Sequence, residues 1–142
     1  MADVLARRGT RAMVFRGHDG LDELTTTGPS TVLDVRDRAV TEHTLDPSEL
    51  GFGTAELDDL RGGDVATSVT IARAIMTGER GPRRDVVLLN AGAALVVADV
   101  AASLPDGIEA AAASIDEGRA AVTLERWIAT SNAGGTGSIA GR

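Results

Sequence analysis

The chain has 142 residues, a formal net charge of −7 and neither cysteine nor lysine. That excludes disulfides, thiol nucleophiles, cysteine-based zinc sites, Schiff-base chemistry and a Walker lysine. The acidity and the scattered arginines argue against a nucleic-acid surface, which draws on clustered Lys and Arg.

A chain of this length is read as one domain. Its core must be aliphatic and alanine-rich, because Phe15, Phe52 and Trp127 are the only aromatics. Met1 to Arg8 is too polar for a signal peptide. The longest apolar run, Val86 to Ala98, would span only about 20 Å as a helix, short of the roughly 30 Å hydrocarbon layer. The expectation is a soluble, cytoplasmic chain with no membrane contact.

In chain order, Ala2 to Arg8 reads as a helix stopped by Gly9. Ala12-Met13-Val14-Phe15 is a short buried strand, expected at the centre of the fold. Thr31 to Arg36 and Ala39 to Leu45 alternate on either side of Asp37-Arg38, which predicts a β-hairpin with charged outward residues. His43 falls on that ribbon as a surface residue, and a catalytic role is disfavoured because its acidic neighbour Glu42 points to the opposite face and cannot orient it. Asp46 and Pro47 begin a capped turn.

Asp64 is the expected N-cap of a helix over Val65 to Thr77. Its predicted stripe is Val65, Val69, Ala72 and Met76, widened by Ile71 and Ile75, with Gly78 at its end. Gly62-Gly63 could cradle a phosphate before this helix, but reads better as a flexible entrance, because Asp64 would repel an anion there. Arg80, Arg83 and Arg84 form the nearest approach to a basic patch and read as a solvated helix entry.

Pro82 suits the start of the next helix, which is apolar almost all round from Val86 to Ala98 and therefore buried. A buried Asn90 must find partners, either by fixing a neighbouring loop or by touching substrate. Gly92-Ala93-Ala94 permits close approach of another backbone. Ser103 opens a capped helix with Ile108, Ala111, Ala112 and Ile115 as its stripe. The last helix, Ala120 to Ile128, is expected to pack through Val122, Leu124, Trp127 and Ile128. Residues 132–142 read as a Gly-rich flexible tail, which leaves 1–131 as the folded domain.

The chemistry concentrates after the first strand, in Gly17-His18-Asp19-Gly20-Leu21-Asp22-Glu23. Three carboxylates this close repel one another unless water or a cation intervenes. Hard oxygen ligands suit Mg²⁺, which takes one or two protein carboxylates and keeps several waters. The pattern alone fits a solvated acidic turn as well. Adjacent residues point to opposite sides of a strand, so Asp22 and Glu23 can share a metal only from a turn or helix start.

The same string, with Thr26-Thr27-Gly28-Pro29, resembles the segment that carries the acidic Mg²⁺ pair in the anthranilate phosphoribosyltransferase family. The resemblance continues through Asp59-Leu60-Arg61-Gly62-Gly63-Asp64, Gly81-Pro82-Arg83-Arg84-Asp85, Leu88-Leu89-Asn90-Ala91 and Leu124-Glu125-Arg126. It covers the chain to about Ala129 in the family's order. Arg16 departs from it, standing where the family pattern has histidine.

The resemblance implies an α/β fold of the nucleoside phosphorylase/phosphoribosyltransferase type, here the C-terminal part of a glycosyltransferase-family-3-type domain, with short strands and a hairpin covered by helices. It implies that Asp22 and Glu23 hold Mg²⁺, that Asp19 serves loop structure or supports the metal ligands from behind, and that little acid–base machinery is needed from this part, with no catalytic residue assigned in it. The implied reaction transfers phosphoribosyl from phosphoribosyl pyrophosphate to anthranilate in tryptophan biosynthesis. The family's Gly-Thr-Gly-Gly-Asp and Lys-His-Gly-Asn segments do not occur in this sequence. The expectation is therefore a truncated chain, inactive alone, with most of both substrate sites and the parts met by the Ala2–Arg8 helix missing. The alternative is a non-catalytic module that associates through exposed apolar faces.

Overall fold

A computed structural model describes residues 1–134 of the chain. Residues 135–142 of the Gly-rich segment lie outside the described residues.

Three strands, β1 (Ala12–Gly17), β2 (Ser30–Arg36) and β3 (Ala39–Leu45), form one antiparallel sheet in the order β1-β2-β3. The central strand is thus β2. The sequence expectation put the Ala12–Phe15 strand at the centre, but it lies at the edge, because β2 holds a partner on both sides. The hairpin is as expected. Asp37 and Arg38 take left-handed φ of 51° and 65°, the turn whose twist matches that of the strands it joins.

Register fixes what each face buries. Phe15 pairs with Val32 and Val32 with His43, while Ala12 pairs with Val35 and Val35 with Val40. Met13, Phe15, Val32 and Leu45 gather on Leu24, Leu89 and Ala93. Ala12, Val35 and Val40 lie on the other face against Ala2 and Ala6 of α1 (Ala2–Arg8). The first helix thus has a partner within this chain, beside the absent parts that the resemblance gives it. It buries its two alanines on the sheet, while Val4 stays exposed.

After a 3₁₀ turn at Pro47–Leu50, capped by Asp46, come α2 (Leu57–Leu60), α3 (Val65–Met76), α4 (Pro82–Val97), α5 (Leu104–Asp116) and α6 (Arg119–Gly134). The two long buried helices, α4 and α5, meet at glycine. A Cβ at Gly107 would lie 2.5 Å from the Gly92 carbonyl oxygen, and one at Gly92 would lie 2.9 Å from the Ile108 backbone nitrogen. The close approach read at Gly92 is present, and Gly107 is its counterpart. Ile75, Leu88, Ala111 and Ile115 form the second core cluster.

Two helix stripes differ from expectation. In α3 only the C-terminal half is covered: Ile71 and Ile75 meet the core, Val65 is 81% exposed, and Val69 and Ala72 also face outward. In α6, Val122, Trp127 and Ile128 are exposed, Trp127 by 72%. Both helices carry apolar stripes, and among the described residues nothing covers those ends. The helix α6 also runs past Ile128 to Gly134, so the Gly-rich segment begins inside it.

Arg84 is a further correction. It is 3% exposed and donates to both carboxylate oxygens of Asp116, at 2.7 and 3.0 Å. A solvated-face assignment fails because Arg84 turns into the fold, where Asp116 at the end of α5 supplies its carboxylate. The Asp116 bonds hold the Arg84 guanidinium above its ordinary pKa despite burial. Asp116 in turn lies below the carboxylate range, chiefly through the hydrogen bond from Arg84. Among the described residues no helix is long and apolar enough to cross a membrane.

Candidate metal-binding loop

The loop between β1 and β2 is built from Asp19 outward. Its carboxylate accepts the Leu21 amide at 2.9 Å and a short bond from the Thr27 hydroxyl. An aspartate that bonds the amide two residues on closes an Asx-turn. The Gly17 amide donates to the Leu21 carbonyl at 3.0 Å, and a Cβ at Gly17 would collide with Asp19 Oδ1. Only glycine leaves room for Asp19 to fold back. Burial pushes the Asp19 carboxyl up, but the bonds from Thr27, Leu21 and Thr25 outweigh it and leave its pKa below the ordinary value. Asp19 therefore serves loop structure, one of the two roles expected of it.

The far side of the loop is sunk in the protein. Leu24, Thr25, Thr26 and Ser30 are all buried, and the Thr25 amide donates to Ser30 Oγ at 3.3 Å. The Thr27 amide donates to Thr25 Oγ1 at 3.1 Å, and the Ala55 amide to the Thr26 carbonyl at 3.0 Å. Sequence reasoning missed the threonines as the frame of the loop. The run Thr25-Thr26-Thr27 ahead of Gly28-Pro29 was the available signal, since hydroxyls beside a turn bond local backbone.

From α4, Asn90 completes the frame. Its Oδ1 accepts the Leu24 amide at 3.1 Å, and its Nδ2 donates to the carbonyls of Leu24 and Val86, both at 2.8 Å. Of the two roles open to Asn90 in the sequence, the structure shows the loop-fixing one.

Between these two anchors stand Asp22 and Glu23, in a bend and both exposed. Neither carboxylate makes a hydrogen bond or ion pair with any described residue. The backbone there is not a strand, which meets the condition set by their adjacency. Glu23 also lines a cleft of about 350 Å³ with Leu21, Leu60, Val86, Val87 and Asn90. Among the described residues no group of three or more His, Cys, Asp or Glu side chains converges as a metal cage. Two adjacent free carboxylates on a fixed loop instead fit a Mg²⁺ that keeps waters and phosphate oxygens as its remaining ligands.

The other candidates stand apart. His43 is an exposed residue of β3. Gly62-Gly63 is the entrance to α3, and one free amide of its first turn is already taken: Asp64 accepts from the Thr67 amide at 2.8 Å. A Cβ at Gly63 would meet the Thr67 side chain at 2.8 Å, so the close approach there is to the helix itself.

Residues 1–121 match the glycosyl transferase family, a/b domain. An anthranilate phosphoribosyltransferase of Arthrobacter sp. (strain FB24) is 53% identical over 135 residues, which covers 91% of this chain and 38% of that protein. The crystal structure of anthranilate phosphoribosyltransferase from Thermus thermophilus superposes with a TM-score of 0.82 at 36% identity, over 90% of this chain and 38% of that one. A variant of the Saccharomyces cerevisiae enzyme, solved with Mg bound, gives a TM-score of 0.73 at 26% identity, over 83% and 35%. The chain thus spans a little over a third of the length of these relatives. By this match it belongs to the glycosyl transferase family, a/b domain.

Proposed function

We propose that the chain is part of an anthranilate phosphoribosyltransferase and supplies that enzyme's Mg²⁺ ligands, Asp22 and Glu23. The observation that carries this reading is the contrast within one loop: two carboxylates without a partner among the described residues, held between anchored neighbours. Leaving two charged groups without partners on an otherwise fixed loop suits ligands kept ready for a cation. The names of the relatives give the substrate class, phosphoribosyl transfer to anthranilate.

In that reaction the anthranilate amine displaces pyrophosphate at the anomeric carbon of phosphoribosyl pyrophosphate. When bound, Mg²⁺ would neutralise charge growing on the pyrophosphate leaving group. The chain's own residues orient the ligands: Asp19 shapes the turn before the pair and Leu24 anchors it after.

The 142 residues contain neither the Gly-Thr-Gly-Gly-Asp nor the Lys-His-Gly-Asn segment of the family. The purified chain given anthranilate, phosphoribosyl pyrophosphate and Mg²⁺ is therefore expected to form no phosphoribosylanthranilate, followed by fluorescence. Supplying the remaining part of the Arthrobacter relative in trans should restore product. Turnover by the chain alone would overturn the expectation of inactivity, and no turnover after supplementation would remove the enzymatic reading. The latter result would favour an interaction module, for which the exposed Val65 and Trp127 speak.

A further inference from the structure

We propose that Asn90 is a positioning residue for the Asp22–Glu23 pair, acting through the backbone of Leu24 and not on any ligand. The proposal rests on the metal reading above. An asparagine side chain offers two N–H donors and one carbonyl acceptor. Here both donors are spent, on Leu24 and Val86 carbonyls, and the carbonyl oxygen takes the Leu24 amide. No N–H remains for a substrate phosphate, although Asn90 borders the cleft that Glu23 lines.

What Asn90 does hold is both polar backbone atoms of the residue that follows Glu23, across 66 positions of sequence. The bond to Val86, one turn back on α4, fixes the direction in which the amide points. Helix α4 is itself immobilised, with Leu89 fully buried and Ala93 nearly so. The metal pair is thereby indexed to the most buried helix of the fold, while its own side chains stay free. Aspartate lacks the two donors and glutamine is one methylene longer, so neither can reproduce this grip.

The test titrates Mn²⁺, followed by EPR, into the 142-residue chain and four variants, with amide hydrogen exchange recorded on each. Asn90→Ala and Asn90→Asp should weaken Mn²⁺ binding about 10–100-fold, the usual effect of removing a group that orients a metal ligand. Ile115→Ala removes a buried side chain of the second core cluster, away from Leu24, and should lower Tm while leaving Mn²⁺ affinity within about twofold. Asp22→Ala/Glu23→Ala should abolish binding. In the Asn90 variants the Leu24 amide should exchange faster than in Ile115→Ala.

Mn²⁺ affinity in Asn90→Ala equal to that of the unaltered chain overturns the proposal, and so does an equal loss in Ile115→Ala. If Asp22→Ala/Glu23→Ala binds normally, the metal reading fails. The positioning role is then decided by exchange alone: equal Leu24 rates in Asn90→Ala and Ile115→Ala overturn it, and a faster rate in Asn90→Ala supports it.

Discussion

The helix pair α4–α5 and the helix pair α3–α6 have similar apolar stripes in sequence and opposite fates in the fold. The first pair meets backbone to backbone at Gly92 and Gly107, with Leu89 fully buried beneath it. The second leaves Val65, Val69, Val122 and Trp127 outward and is tied across its surface by Arg73 and Glu125, 3.1 Å apart. An apolar stripe states that a face can be buried; it does not state that the partner is present. The acidic loop draws its order from the first pair, through Asn90 of α4.

Three substitutions sharpen this contrast. The largest effect is expected from Gly107→Ala, since the added methyl would collide with the Gly92 carbonyl and two backbones must part. A cost of about 3 kcal/mol, at the upper end for overpacking, should appear as a lowered Tm by calorimetry. A melt unchanged from the parent would mean that α4 and α5 do not pack as described.

An intermediate effect is expected from Asp116→Asn, which leaves the buried Arg84 without its carboxylate. The hydrogen bond from Arg84 depresses the Asp116 pKa below its ordinary value of 3.8. A depressed carboxylate contributes stability above its unfolded pKa and loses it as pH falls through the lower, folded value. Tm of the parent should therefore fall on acidification below about pH 4, on the scale set by that ordinary carboxylate value. The variant should start lower at neutral pH and lack this part of the decline. Asp116 is 44% exposed, so added salt should shrink the difference. An identical acid limb in both proteins would remove the ion pair from the account.

The smallest effect on stability is expected from Trp127→Ser, within about 0.5 kcal/mol as for other surface positions. The same change should reduce self-association at high concentration, read by light scattering, because it removes the largest exposed apolar side chain of α6. A strongly lowered Tm would mean that the helix packs more closely than its exposure indicates.

What was legible in the sequence was local. The caps at Asp46, Asp64 and Ser103 follow from side-chain oxygens placed before helical runs, and each accepts the predicted backbone amide. The hairpin followed from alternation about Asp37-Arg38. Asn90 stood out because an amide within an apolar helix must be satisfied, although its partner, 66 residues earlier, carries no local signal.

What was illegible depended on the neighbours each face would have. Neither the edge position of β1, nor the inward turn of Arg84, nor the exposure of Val65 and Trp127 could be read from periodicity. Periodicity marks a face without naming its cover. At the loop, the resemblance named Asp22 and Glu23. The frame of Thr25, Thr27, Ser30 and Gly17 that holds them emerged only from the tertiary structure.

The central claim is that Asp22 and Glu23 carry the Mg²⁺ of a phosphoribosyl transfer. The most direct measurement is the Mg²⁺ dependence of phosphoribosylanthranilate formation in the reconstituted assay, comparing the parent chain with Asp22→Ala/Glu23→Ala. The expected result is a loss of about 100-fold or more, as when a preorganised charge-stabilising group is removed, with a melt indistinguishable from the parent. Undiminished turnover with the same Mg²⁺ dependence would contradict it.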